Sequence, residues 1–264
     1  MPMTITSLQD RKRRGERFAV LTAYDYTTAR ILAEAEIPVI LVGDSLGQVM
    51  LGYPTTLPVT MEEMLHHARA VARAAPEQLL VGDMPFGAYH ASDEDAIRNA
   101  ARFLQAGMHA VKMEGGGRIA GLTRQLTERG IPVMGHLGLT PQFVNAFGGH
   151  RVQGREADAA ARIESDALAL EEAGAFAIVL EGMPRTLGAS ITGSLRIPTI
   201  GIGAGPDCDG QVLVVHDMLG LTRGPLAKFV KTFASLGDEA VAAAREFAAE
   251  VGSGSYPDDA HAYH

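Results

Sequence analysis

The stretch PTIGIGAGPDCDGQVLVVHD, residues 198–217, decides between a closed barrel and an open sheet. It holds two short apolar runs, PTIGIGAG (198–205) and QVLVVHD (211–217), separated by the few residues from Pro206 to Gly210. Parallel neighbours ordinarily need a crossover of about a dozen residues or more, usually a helix. Either a tight turn replaces that helix and the second run is a strand, or the second run is itself a helix and the sheet stays open. Six further apolar runs lie upstream: FAVLTAY (18–24), VILVGDS (39–45), LLVGDMPF (79–86), AVKMEGG (110–116), PVMGHLGL (132–139) and AFAIVLEG (175–182). Each is near-continuous and ends in Gly, Asp, Pro or a small polar cluster, as buried parallel strands do. Eight such runs favour an α/β chain folded as a (β/α)8 TIM-type barrel over an open doubly wound sheet.

Helical patterns fill most of the gaps. Thr27 to Glu36 follows the first run, and Thr60 with Glu63 has capping-box spacing ahead of MEEMLHHARAVARAA (61–75), which should end at Pro76. Ser92 precedes DEDAIRNAARFLQAG (93–107), while Arg118 to Arg129 and Ala157 to Ala173 each close on a glycine. The pattern continues through FVKTFASL (229–236) and DEAVAAAREFAAEV (238–251) to a polar tail. No low-complexity linker interrupts the chain, so one barrel domain over 1–264 is expected, with a short N-terminal helical segment and a C-terminal tail.

Composition excludes several functions. The net charge of −8, from 23 basic and 31 acidic side chains, argues against a nucleic-acid partner, which needs a basic face. The basic cluster Arg11-Lys12-Arg13-Arg14 reads as a solvated helix face. With one cysteine, Cys208, the chain needs no oxidising compartment. No apolar run approaches the ~20 residues of a membrane helix, and the N-terminus carries no secretory pattern, so a cytoplasmic protein without a membrane partner is expected.

Ligands of parallel α/β folds bind at the carboxyl ends of the strands, which makes the polar residues there informative. Asp44 and Ser45 end the second run, and Asp83 lies near the end of the third. Lys112 and Glu114 stand two apart in the fourth, on one side of it; His136 lies in the fifth and Glu181 ends the sixth. Singly, each is more simply a cap, a solvated strand end or a core histidine. Together they are costly to bury, because carboxylates without partners must find a cation or take up protons. Asp44, Asp83 and Glu114 form an oxygen-only ligand set, suited to Mg²⁺ with Mn²⁺ or Co²⁺ as substitutes. A 2-oxo acid could chelate that ion through its carboxylate and keto oxygens, which points to enolate chemistry without naming the electrophile.

Other features carry less. GIGAG (201–205) does not complete a dinucleotide fingerprint, and Gln211 stands where a P-loop needs Lys. His66-His67 belong to a helix, His216-Asp217 reads as a strand-end pair, and Asp25 could support the metal shell. Cys208 lacks a histidine partner for nucleophilic catalysis.

The segments TAYDY (22–26), LVGDSLG (41–47), LPVT (57–60), VKMEGG (111–116), GHLGLTPQ (135–142), LEGMP (180–184) and IGIGAGPDCDGQVLVVHDMLG (200–220) resemble the ketopantoate hydroxymethyltransferase family, in order and over nearly the whole chain, reaching the tail GSYPDDAHAYH (254–264). The resemblance implies a cytoplasmic (β/α)8 barrel assembled as a homo-oligomer, typically a decamer of two five-membered rings. It implies transfer of a one-carbon unit from 5,10-methylenetetrahydrofolate to 3-methyl-2-oxobutanoate, giving 2-dehydropantoate for pantothenate synthesis. Asp44, Asp83 and Glu114 match the family's metal positions. Asp44, Ser45, Asp83 and Lys112 match positions that contact the oxo acid or its metal, with His136 expected beside them. Glu181 matches the catalytic base. A carbon–carbon lyase resembling the phosphoenolpyruvate mutase and isocitrate lyase group is the rival enzyme reading, although the reactive-cysteine loop of isocitrate lyases is not seen. A non-catalytic binding module on a barrel scaffold is the rival from another class.

Overall fold

A computed structural model describes residues 2–75 and 77–263. Pro76, expected to end a helix, and His264 of the tail lie outside the described residues.

Eight strands close into a parallel barrel in chain order: β1 (Phe18–Thr22), β2 (Val39–Val42), β3 (Leu79–Asp83), β4 (Ala110–Glu114), β5 (Val133–Gly138), β6 (Ala177–Glu181), β7 (Thr199–Ile202) and β8 (Gly210–Leu213). Closure is made by β8 pairing with β1, with Phe18 opposite Gly210 and Leu21 opposite Leu213. The joint that divided the two folds is a turn without a helix. β7 and β8 pair directly, Ile200 opposite Gly210, across residues 203–209. Asp209 braces this turn. Its Oδ2 accepts from Thr199 N at 2.8 Å, Thr199 Oγ1 at 3.1 Å and Lys12 Nζ at 2.8 Å. Lys12 therefore leaves the solvated face expected for the basic cluster, because its ammonium is the cation that reaches this carboxylate and also the Thr192 carbonyl, at 3.0 Å. Arg13 and Arg14 remain exposed.

The helices are α1 (Ile5–Arg14), α2 (Tyr26–Glu34), α3 (Leu46–Val49), α4 (Met61–Ala74), α5 (Asp93–Gln105), α6 (Ala120–Glu128), α7 (Val144–Phe147), α8 (Ala157–Glu172), α9 (Arg185–Ser194), α10 (Val215–Met218) and α11 (Leu236–Ser253). The expected starts are present as real caps: Thr60 and Glu63 form a reciprocal capping box, and Ser92 accepts from Asp95 N.

Inward positions alternate along each strand, and the alternation builds the core. Phe18 and Val20, Val39 and Leu41, Leu79 and Val81, Ala110, Met134, Ala177 and Val179, Ile200 and Val212 form one buried cluster. Leu8 of α1 joins it, with Met3 and Ile5 packed alongside, so the N-terminal helix seals the amino end of the barrel. A second cluster packs outward-facing Leu137, Ile178 and Leu180 against Leu170 of α8 and Ile191 of α9.

The chain divides into two compact units, Met1–Val214 and Val215–His264. All eight strands belong to the first. The second begins with a correction to the sequence reading. The strand ends at Leu213, and Val215–Met218 makes a helical turn closed by Leu219 N on Val215 O at 2.9 Å. His216-Asp217 is thus not a strand-end pair. FVKTFASL is not helical before Leu236, because its amides bond backward to the preceding turn rather than along a helix. Phe233 N donates to Met218 O and Leu236 N to Leu219 O.

Candidate active site

The inward alternation that makes the core continues past it into charge. Beyond Val81 the next inward residue of β3 is Asp83; beyond Ala110 come Lys112 and Glu114; beyond Met134 comes His136; beyond Val179 comes Glu181. Asp44 enters two residues after β2. Asp44, Asp83, Lys112, Glu114 and His136 are all under 5% exposed, whereas the Glu181 side chain keeps 15%.

The geometry joins them into one network. Lys112 Nζ lies 2.7 Å from Asp83 Oδ1, 3.8 Å from Glu114 Oε1 and 3.3 Å from His136 Nδ1. His136 spans two carboxylates, with Nδ1 3.3 Å from Glu114 Oε1 and Nε2 3.2 Å from Glu181 Oε2. Asp44 N donates to Asp83 Oδ2 at 3.3 Å. Ser45 is half-buried beside them, its Oγ 2.8 Å from the Tyr24 hydroxyl. The close approach of β5 and β6 depends on Gly138, which has a φ of +91° and where a Cβ would stand 2.2 Å from the Glu181 carbonyl oxygen.

Two residues that sequence reasoning missed hold this network together. Gln142 follows β5 on a 3-10 turn opened by Pro141. Its Nε2 donates to Asp44 Oδ2 and to Met84 O, each at 2.9 Å, and its backbone N–H donates to Glu114 Oε2 at 3.0 Å. The Tyr89 hydroxyl donates to Gln142 Oε1 at 2.7 Å and accepts from Glu114 N at 3.1 Å. Gln142 ends the quoted GHLGLTPQ segment, but neither side chain sits on a periodic strand face that would mark it.

Burial and charge set the protonation balance. Desolvation, then the neighbouring Asp83 and Glu114 carboxylates, push the Asp44 carboxyl well above its ordinary range. Desolvation likewise raises Asp83, with Lys112 opposing it. For Glu114, burial is outweighed by the bond to His136, by Lys112 and by the Gln142 N–H, and the pKa falls. Burial also works against the Lys112 ammonium, yet Asp83, Glu114 and Asp44 hold its pKa above the usual lysine value. Against burial and Lys112, the Glu114 and Glu181 carboxylates push His136 up to about 9.

The three expected metal ligands therefore meet in one cluster, but they do not form a ready cage. Among the described residues no three His, Cys, Asp or Glu side chains are arranged to hold a metal ion. Lys112 stands between Asp83 and Glu114, and both Glu114 oxygens have partners. Asp25 does not support a metal shell. Its carboxylate caps α2, accepting from Thr28 N at 2.8 Å and Thr28 Oγ1 at 2.7 Å. His66 is exposed, and His67 is half-buried with Nδ1 2.6 Å from Tyr24 O. Cys208 is buried, which raises its thiol pKa and suits an inert core sulfur.

A closed parallel barrel with buried acids and bases filling its carboxyl-end mouth defines a (β/α)8 enzyme. The chain belongs to the ketopantoate hydroxymethyltransferase family, whose profile matches residues 2–259. Proteins named 3-methyl-2-oxobutanoate hydroxymethyltransferase are similar along their length. That of Acidothermus cellulolyticus is 58% identical over 99% of this chain and 96% of its own. That of Heliobacterium modesticaldum is 53% identical over 99% and 95%. Among solved structures, a phosphonopyruvate hydrolase complexed with oxalate and Mg²⁺ matches with a TM-score of 0.65 at 17% identity, covering 100% of this chain and 92% of that one. A 2,3-dimethylmalate lyase of the PEP mutase/isocitrate lyase superfamily matches with a TM-score of 0.62 at 20% identity, covering 98% and 91%. These two likenesses concern the fold.

Proposed function

We propose that this chain transfers a hydroxymethyl group from 5,10-methylenetetrahydrofolate to 3-methyl-2-oxobutanoate, giving 2-dehydropantoate, with a divalent cation, Mg²⁺, at Asp44 and Asp83. The observation that carries the reading is the charge imbalance at the mouth. Four carboxylates (Asp44, Asp83, Glu114 and Glu181) face one ammonium and one imidazole. The donor set fits a hard cation: it is all oxygen, and burial raises the pKa of Asp44 and Asp83, with Asp83 Oδ1 shared with Lys112 Nζ at 2.7 Å, so that a bound cation would take over charge that Lys112 and protons now offset. When bound, such an ion supplies a Lewis acid for the keto and carboxylate oxygens of the substrate. Glu114, with both oxygens engaged, would act through water.

The chain's own residues account for the rest. Ser45, oriented by Tyr24, donates to the substrate carboxylate. Lys112 places an ammonium where negative charge grows on the keto oxygen as the C3–H bond breaks. Glu181, the most exposed carboxylate of the network, takes that proton, with His136 Nε2 3.2 Å from its Oε2. One water hydrolyses the methylene bridge, so that both C–N bonds break, tetrahydrofolate leaves with the two N–H protons and the water oxygen stays on the one-carbon unit. The C3 carbanion adds to that carbon, and the proton held by Glu181 passes to the new alkoxide to give the hydroxymethyl group. With 3-methyl-2-oxobutanoate and Mg²⁺ in deuterated water, the C3 hydrogen should exchange without any folate, and Glu181→Gln should abolish exchange while binding metal normally. Exchange that survives in Glu181→Gln removes the base assignment. Formation of 2-dehydropantoate without the folate donor, or in excess chelator, sinks the whole reading.

The family resemblance also supports a cytoplasmic homo-oligomer, a decamer, whose mass in solution is directly measurable. Among the described residues no helix is long and apolar enough to cross a membrane.

A further inference from the structure

A cavity of about 340 Å³ opens beside the mouth, between the segments that follow β4 and β5 and the flank of α8. None of the network side chains lines it, yet its walls are the backbone next to them. Gly115 N donates to His136 O at 3.1 Å, and Leu139 N donates to Glu181 O at 2.8 Å, next to the lining residue Gly138. The turn that sends Gln142 inward to Asp44 turns the next residue, Phe143, into the cavity.

Its chemistry is unlike that of the mouth. Phe143 and Phe147 are half-buried, with ring centroids 6.4 Å apart and 39° between planes. Arg118 and Arg162 stand at the wall, exposed. Among the described residues neither guanidinium has an ion-pair partner, so both are free to meet an anion entering the cavity. The one acid in the wall, Asp166, is committed to the loop: its Oδ1 accepts from Gly117 N at 2.8 Å. At Gly116 a Cβ would stand 2.0 Å from Asp166 Oδ2, so only glycine lets the loop lie this close to α8. A small oxo acid would leave most of such a space empty. An aromatic body ending in carboxylates would fill it, with ring faces for the phenylalanines and anions for the arginines.

We infer that this cavity holds the body of the one-carbon donor, its aromatic part against Phe143 and Phe147 and its terminal glutamate carboxylates at Arg118 and Arg162. The inference rests on the hydroxymethyl-transfer reading, and hydrogen exchange separates the two, because exchange needs the oxo acid and Mg²⁺ but no donor. The double variant Arg118→Gln/Arg162→Gln should raise the KM for 5,10-methylenetetrahydrofolate about tenfold, the combined loss of two exposed ion pairs. It should leave the exchange rate and the KM for the oxo acid unchanged. The defect should vanish with a 5,10-methylene donor that keeps the aminobenzoyl ring, as its amide, but lacks the glutamate. Phe143→Leu should weaken both donors. An unchanged donor KM in the double variant with exchange intact overturns the inference. So does a parallel loss of exchange, which would assign the arginines to the oxo acid or to the fold. Absence of Mg²⁺-dependent exchange in the wild-type protein overturns the functional reading and the inference together.

Discussion

The two ends of the barrel interior are built by the same strands and the same inward face, but their chemistry is opposite. At the amino end, Val20, Leu41, Leu79, Ala110 and Met134 meet Leu8 of α1, and water is excluded by apolar contact. One or two pleats further on, Asp83, Lys112, Glu114, His136 and Glu181 occupy equivalent positions. Burial stabilises the first end and is costly at the second, where the acids lean on Lys112, His136 and Gln142. The comparison separates stability from chemistry: damage to the amino end should unfold the protein without altering the reaction, and damage to the mouth should alter the reaction first.

Lys112→Met is the most severe way to test that division. It removes the buried cation that faces Asp83 and Glu114, leaving their charges uncompensated, at a cost of about 3–5 kcal/mol in chelator. The deficit should depend on pH. Asp44 and Asp83 have folded-state pKa values above the ordinary carboxylate range, so the folded protein holds more protons than the unfolded chain. Their contribution is present at low pH and is lost as pH rises through the raised values. Urea melts should therefore show Lys112→Met falling further below wild type at pH 8 than at pH 5. A pH-independent deficit would show that the mouth is not governed by its charges.

Leu8→Ala probes the other end. Truncating a fully buried leucine costs about 2–5 kcal/mol through lost transfer energy and a cavity. The Tm should fall while kcat per folded molecule stays at the wild-type value. A lowered kcat at full folding would mean the amino end communicates with the mouth. Asp209→Asn is milder. The carboxylate that ties Lys12 and Thr199 to the β7–β8 turn loses its charge but keeps its size, and about 1–3 kcal/mol should go. A change in activity without a change in Tm would contradict its placement as a brace.

The division between the ends also explains what could be read from residues alone. Near-continuous apolar runs marked the strands, and the rule that ligands bind at their carboxyl ends made Asp83, Lys112, Glu114, His136 and Glu181 visible as one rim. Val212 to Asp217 is apolar for too short a span for periodicity to tell a strand from a helical turn, and the boundary after Leu213 was missed for that reason. Asp25 looked like a rim acid because a strand-end aspartate and a helix N-cap share the same sequence position. Gln142 and Tyr89 were hidden by a different cause. They come from loops after β5 and β3, and their meeting is a property of barrel closure that no local pattern encodes.

Tyr89→Phe is the smallest change and addresses that hidden pair. The phenol donates to Gln142 Oε1 and accepts from Glu114 N, which fixes the amide so that its NH₂ faces Asp44. Without the hydroxyl the ring still fills its buried site, and the loss in stability should be about 1 kcal/mol. The amide would then be free to turn its oxygen toward Asp44, repelling the carboxylate it now orients. Mg²⁺ affinity, measured by calorimetry, should fall several-fold more than this small stability change suggests, and Gln142→Leu should lower it further. Because both act on Asp44 through one hydrogen-bonded chain, their effects should not add: the double variant should bind Mg²⁺ no worse than Gln142→Leu alone. Full additivity would show that Tyr89 and Gln142 serve the mouth separately, and that its carboxylates are oriented by the strands themselves.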